Sequence, residues 1–172
     1  MVIRTEPPRL ADERATLVGF LDYQRTTLLL KIEGVADERL GEATVPPSDL
    51  SLLGLLRHLT EVERSWFRRR FAGEDASPLY YGQAHPTGDE DGDFHPGPND
   101  SVADALAAWW AEVQFADELI AAHSLDDVSA LSAHEGMHNN LRWALVHLIE
   151  EYARHNGHAD LIRERLDGAT GE

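Results

Sequence analysis

The chain has 172 residues, 42% of them apolar, which is the size of one ordinary domain with a buried core. It carries 31 acidic residues against 15 basic ones, and the net charge of −16 repels the phosphates of nucleic acids and anionic lipids, which disfavours a nucleic-acid partner. It contains no cysteine, so disulfides, thiolate nucleophiles and cysteine-based zinc sites are excluded, and any metal must bind to nitrogen and oxygen.

Two segments with helical periodicity occupy the first half of the chain. The first runs from about Ala11 to Glu33, and Gly34 is its expected stop. The sequence Pro46-Pro47-Ser48 then supplies a break and an N-cap for a second helix, from about Asp49 to Ala72. This second helix carries His58 within its apolar side.

The segment from 73 to 100 has no periodicity and includes an acidic run at 89–93. Loops this long inside compact domains are often lids or binding loops, so Tyr80, Tyr81 and Phe94 are candidates for the wall of a pocket. A solvated loop is the alternative. Solvation is also the expected role of the acidic run, because its spacing does not match the standard calcium-binding loop.

Two further helices follow the loop. Ser101 and Asp104 have the spacing of a capping box and begin a third helix that reaches about His123. The last helix runs from about Asn140 to Leu166, with Gly168 just beyond its end. Four amphipathic helices without a convincing strand predict an all-α, antiparallel four-helix bundle that forms one domain over residues 1–172.

The sequence shows no sign of a membrane segment. It has no uninterrupted apolar stretch of about eighteen residues, and residues 1–14 carry acids and prolines instead of a basic region followed by an apolar one. We therefore expect a soluble, cytoplasmic protein that acts on a small molecule. The adjacent Trp109 and Trp110 cannot both face one core, which leaves a homodimer open.

The last helix carries a polar stripe. At about 100° per residue, its members span less than a quarter of the helix circumference: His147, Glu151, His155 and His158. Residues four apart can chelate one ion, and Glu151 and His155 have this spacing. A third ligand must come from another helix, where His58 is the histidine that lies well inside an apolar run. Three protein ligands would leave a position for water or substrate, as in catalytic sites.

The same residues also permit plainer interpretations. His58 could be a hydrogen-bonded residue of the core. Glu151 could be a solvated acid in an ion pair with Arg154, and His147 could be a surface residue. The spacing by itself does not decide between these interpretations and a metal site.

Residues 51–67 and 140–164, with the terminal Leu-Asp-Gly at 166–168, resemble the DinB/YfiT-like superfamily. They are most similar to its mini-circle protein branch, a domain of unknown function now associated with mycothiol transferases. The resemblance covers nearly the whole chain, and the last-helix motif is its specific part. It implies a four-helix bundle with a metal, usually zinc or nickel, held by one residue of the second helix and two of the last. Those positions fall on His58, Glu151 and His155.

The chain departs from many of these relatives at one ligand position. Where they have a histidine, this chain has Glu151, a substitution that the resemblance also implies for the mycothiol-dependent maleylpyruvate isomerases. Glutamate is a competent oxygen ligand, but it shifts the preference toward harder ions. His158 lies one turn further on and could replace or supplement a ligand, although we expect it beside the ligands or at the substrate.

The resemblance also implies a function. Members of known activity use the metal to bind and deprotonate a small thiol, such as mycothiol or bacillithiol, for transfer or isomerisation. Here the sulfur must come from a bound molecule, because the chain has no cysteine. His158, Tyr152 or His147 could accept the proton, and Arg57 and Arg154 could contact the cofactor. A metal-dependent hydrolase and a non-catalytic, metal-binding or stress-associated bundle are the alternatives.

Overall fold

The described part of the molecule is helical. The computed structural model describes residues 2–82, 86, 88–132 and 136–171. These form four long helices: α1 (Glu13–Ile32), α2 (Leu52–Glu63), α3 (Val102–Ala122) and α4 (Leu141–Asp167). α2 continues directly into a π-helix, Arg64–Phe71. Within the described ranges, β structure is limited to isolated bridges such as the one between Val128 and Asn140, so the predicted all-α class is confirmed.

The helix ends follow the capping signals of the sequence, with one exception. Gly168 follows α4 in the left-handed conformation, at φ 79°, as predicted. The N-cap of α2 is Ser51 and not Ser48, because the hydroxyl of Ser51 accepts a hydrogen bond from the amide of Gly54 at 3.1 Å. The hydroxyl of Ser48 instead accepts the amide of Leu50, within the turn that precedes the helix.

The helices do not alternate in direction throughout the bundle. Three contacts join α1 to α4 in increasing order along both helices: Glu13 with Arg142, Gln24 with Asn156, and Lys31 with Asp160. Two contacts relate α2 and its π-helical continuation to α3 in the same way: Arg57 with Asp100, which precedes α3 by two residues, and Arg64 with Glu112 in the middle of α3. Each of these two pairs therefore runs in one direction. α2 and the π-helix that continues it run opposite to α4, because His58 meets His155 and Trp66 meets Trp143. A fully antiparallel bundle, as the sequence predicts, is not what these contacts describe.

The shared direction of α2 and α3 explains the length of the loop between them. Two consecutive helices that run the same way need a crossover that returns along the bundle. The segment from 73 to 100 is that crossover. Arg57 of α2 anchors it, because its buried guanidinium donates to the carbonyl of Gly92 at 2.7 Å and lies 4.5 Å from the centre of the Tyr80 ring.

The buried apolar side chains form one cluster to which all four helices contribute. Trp109 belongs to this cluster and is 1% exposed, whereas the adjacent Trp110 is 53% exposed. The two adjacent tryptophans therefore do not both face the core, as expected from the sequence. None of the helices in the described part of the chain is both long enough and apolar enough to cross a membrane.

A hydrogen-bonded polar network crosses this apolar core. Arg25 donates to both carboxylate oxygens of Glu63, at 2.7 and 2.8 Å. Tyr152 donates to the same carboxylate at 2.9 Å and accepts a hydrogen bond from the indole of Trp109 at 2.8 Å. Buried charges and hydroxyls are tolerated when they are paired in this way. The network therefore ties α1, α2, α3 and α4 together at one level of the bundle.

Candidate metal centre

The three residues predicted as metal ligands lie together. One ligand atom from each of His58, Glu151 and His155 lies within 4.8 Å of the other two. The ring centroids of the two histidines are 4.6 Å apart, and a carboxylate oxygen of Glu151 is 3.6 Å from Nε2 of His155. We call this set the His-Glu-His cluster. Two imidazoles and one carboxylate from two helices are a donor set that suits one divalent cation and leaves its shell incomplete.

The surroundings of His155 keep its imidazole neutral. Burial above all, together with the neighbouring His58 and His158, lowers the pKa of His155 from 6.5 to about 3. The neutral imidazole is the form that binds metals, so no proton must leave this side chain near neutral pH. His158 lies beside the cluster as predicted, with its Nδ1 3.4 Å from Nδ1 of His155.

Asp93 is a residue of the site that the sequence analysis missed. It belongs to the acidic run that was expected to be solvated, yet it is only 6% exposed, and its carboxylate lies 2.8 Å from Nδ1 of His58. A carboxylate on Nδ1 leaves Nε2 of His58 for a cation and fixes the orientation of the ring. Phe94 stacks on the same ring, with the centroids 4.2 Å apart.

Gly54 allows the crossover to approach α2 closely enough for these contacts. A Cβ atom built at this position would lie 2.6 Å from the carbonyl oxygen of Phe94, so a larger residue would push the loop away. The backbone of the loop therefore packs directly on the first turn of α2. This packing holds Asp93 and Phe94 over the ring of His58.

The arginines predicted to contact a cofactor lie outside the His-Glu-His cluster. Arg57 is buried and engaged by the crossover, where it donates to Asp100 as well as to Gly92. Arg154 is exposed and pairs with Glu150. The alternative in which Arg154 pairs with Glu151 does not match this geometry. Each of these two guanidinium groups is therefore already engaged by a carboxylate.

Tyr152 also lies away from the cluster. It follows Glu151 directly, so its side chain leaves α4 about 100° further round the helix and enters the core. There it is 0% exposed and bonded to Glu63 and Trp109. Burial raises the pKa of Tyr152 well above its ordinary value. The prediction that it accepts a proton from a substrate is therefore corrected, because the hydroxyl is occupied and sealed from the site.

His147 extends the polar stripe away from the cluster. Its Nε2 lies 3.5 Å from one carboxylate oxygen of Glu151, whose other oxygen faces His155. Burial lowers the pKa of His147, and the carboxylates of Glu151 and Glu150 oppose this effect. The ring also packs against Trp66 and Trp143, with centroid distances of 4.5 and 5.0 Å. His147 is therefore more than a surface residue.

Two cavities open beside the cluster. The first, which we call the polar cavity, has a volume of about 210 Å³, and its wall includes His58, Glu61, Tyr81, Asp93 and Phe94. The second, the aromatic cavity, has a volume of about 560 Å³, and its wall includes Trp66, Met137, Trp143 and His147. Of the three aromatic loop residues predicted to form a pocket wall, Tyr81 and Phe94 do so, whereas Tyr80 packs against Arg57.

The fold and the cluster define the chain as a four-helix protein with a candidate metal centre. Its His58 lines the polar cavity, and its Glu151 lies 3.5 Å from His147 in the wall of the aromatic cavity. Residues 16–168 match the family model of the mycothiol-S-transferases, and the chain belongs to that family. The resemblance to the mycothiol transferase branch is thereby confirmed. No protein with a curated description matches the chain.

Proposed function

We propose that the protein activates a small-molecule thiol of the mycothiol type on a divalent cation, zinc or nickel, and transfers it to an acceptor. The proposal rests on the convergence of His58, Glu151 and His155 beside open cavities, in a chain that belongs to the mycothiol-S-transferase family. These three residues would hold the cation, which would supply the charge that ionises a coordinating thiol to the nucleophilic thiolate. The chain has no cysteine, so the sulfur belongs to the bound molecule.

The polar cavity suits the body of such a thiol. Its wall carries the carboxylates of Glu61, Glu90, Asp91 and Asp93, which accept hydrogen bonds from hydroxyl and amide groups. Glu61 is 3% exposed, and its Oε2 has no hydrogen-bond partner within the described residues. A buried polar atom without a partner is costly, and a ligand donor would supply one. Burial raises the pKa of Glu61, which agrees with this incomplete solvation.

The two remaining histidines of the stripe take different roles in the proposal. His158 contacts Nδ1 of His155, whereas Nε2 of His155 faces Glu151. His158 would therefore orient the ring of His155, so that its Nε2 can bind the cation. His147 is the proposed acceptor for the proton of the thiol, because its Nε2 lies 3.5 Å from one carboxylate oxygen of Glu151, whose other oxygen faces His155.

The test begins with protein purified without chelators and without a nickel affinity step. Elemental analysis is expected to find close to one divalent cation per chain. The protein is then incubated with mycothiol and a small electrophile, and the conjugate is quantified by mass spectrometry. We expect conjugate formation that disappears when a chelator removes the cation. Bound metal without any conjugate would favour a non-catalytic metal protein, and hydrolysis without a thiol would favour the hydrolase.

Asp93→Asn is expected to weaken the affinity for the cation by about 10- to 100-fold, because an amide orients the ring of His58 less well than a carboxylate does. The measurement is a competition titration against a chromophoric chelator. Asp75→Asn is the matched control, since Asp75 is an exposed acid of the same loop outside the wall of the polar cavity. Equal affinities for both variants and the parent protein would show that Asp93 does not support the site.

A further inference from the structure

The aromatic cavity differs in chemistry from the polar cavity. The surface of its wall is mainly apolar. The cavity lies between Trp66 on one side and, on the other, residues 137–140 before α4 and the first turns of α4. Met137 is 65% exposed and Trp143 is 49% exposed, although both are large apolar residues. Exposed apolar side chains that gather around a cavity are typical of a ligand-binding site.

Three rings form one side of this cavity. Trp66 and Trp143 lie with their centroids 5.1 Å apart, and the ring of His147 stacks on Trp143 at an interplanar angle of 18°. The guanidinium of Arg70 lies 4.4 Å from the centre of the Trp66 ring, and Arg70 also bonds to Ser65 at 2.7 Å. Trp66 is therefore held in place before any ligand binds.

The aromatic cavity adjoins the His-Glu-His cluster through a single carboxylate. His147 is in the wall of the cavity, its Nε2 is 3.5 Å from Glu151, and the other oxygen of Glu151 faces His155. Trp66 belongs to the walls of both cavities. A molecule in the aromatic cavity would therefore lie next to a thiol that occupies the polar cavity and the cluster.

The geometry points to the aromatic cavity as the binding site of the acceptor, and to a planar, apolar electrophile as its chemical class. This inference rests on the proposed thiol transfer. Flat rings are favoured because tryptophan faces stack with planar π-systems. The described wall also carries two histidines and two asparagines, but it includes no carboxylate, lysine or arginine that would compensate for the desolvation of a charged ligand. In the transfer, the thiolate sulfur forms a bond to an electron-poor ring carbon, and a halide leaves with the bonding electron pair.

The binding step can be tested without any reaction. 1,3-Dinitrobenzene has a flat, electron-poor ring and no leaving group, so its affinity is measured by equilibrium dialysis without thiol. Trp143→Ala is expected to raise the Kd by about tenfold, and Trp143→Phe by less, because it keeps a ring. Trp110→Ala is the matched control, since Trp110 is an equally exposed tryptophan on α3, and its Kd should equal that of the parent. Helical spectra and melting temperatures confirm that the variants fold.

A parent protein that shows no saturable binding, or a Trp143→Ala variant with an unchanged Kd, would overturn the inference. Two further measurements separate it from the proposed function. His58→Ala should lose transfer but still bind 1,3-dinitrobenzene. With mycothiol and 1-chloro-2,4-dinitrobenzene, Trp143→Ala should raise the KM for the electrophile and not the KM for the thiol. A rise confined to the KM for the thiol would contradict the assignment of the cavity to the acceptor.

Discussion

His58→Ala and His155→Ala are each expected to abolish thiol transfer and to lower the affinity for the cation by more than about 100-fold, since even the loss of a supporting partner costs 10- to 100-fold. The reason is the small number of side chains that can bind the cation. The cluster would supply three protein ligands, and removal of either imidazole would leave one imidazole and one carboxylate, both on a single helix in the case of His58→Ala. Two ligands do not hold a divalent cation against water and chelators.

The measurement combines elemental analysis of the purified variants with far-ultraviolet circular dichroism. The dichroism must show an intact helical spectrum before loss of metal is attributed to the ligand. His123→Ala is the matched control, because His123 is exposed and lies at the end of α3, where it pairs with Asp127. It should keep full metal occupancy. Full occupancy in His58→Ala and His155→Ala would show that the ligand assignment is wrong.

Glu63→Ala is expected to lower the free energy of unfolding by about 3–5 kcal/mol, the cost of breaking a buried ion pair from one side. The substitution leaves the guanidinium of Arg25, which is 3% exposed, without its two bonds to a carboxylate. Asp117 would still accept one hydrogen bond from Arg25 at 2.8 Å, but the side chain of Asp117 is itself half exposed. The hydroxyl of Tyr152 would lose its acceptor at the same time.

Urea unfolding followed by circular dichroism measures this loss. The matched control is Glu42→Ala, which removes a carboxylate from an exposed pair with Arg39. Surface pairs contribute at most about 1 kcal/mol, so this control should unfold close to the parent. Similar losses for the two variants would mean that the network around Glu63 contributes no more than a surface ion pair does.

Periodicity explains why much of the bundle and the cluster could be predicted. A helix repeats every 3.6 residues, so apolar positions locate the core-facing side of each helix without knowledge of its neighbours. The same arithmetic placed Glu151 and His155 on one face of α4. Tyr152 lies about 100° from that face, on the same side of α4 as the apolar Leu145 and Leu148, and this position indicates that it faces the core.

Periodicity does not report which helices are neighbours or in which direction they run. The shared direction of α2 and α3 depends on the crossover, and the crossover has no regular pattern from which its path could be predicted. Asp93 was misjudged for the same reason. In sequence it is one acid among several, and the one available signal was that the aromatic Phe94 follows it. A single domain, a cytoplasmic location and a homodimer stay predictions.

The crossover and the helices differ in how they tolerate changes in sequence. A substitution inside the helices disturbs close-packed side chains or the cation ligands, and most such changes are lost to selection. Residues 73–100 meet the cluster mainly through Asp93 and Phe94, and surface connections tolerate substitution and insertion. Sequence changes in this segment that keep Asp93 and Phe94 would therefore alter the wall of the polar cavity, while the contacts that orient the ring of His58 persist.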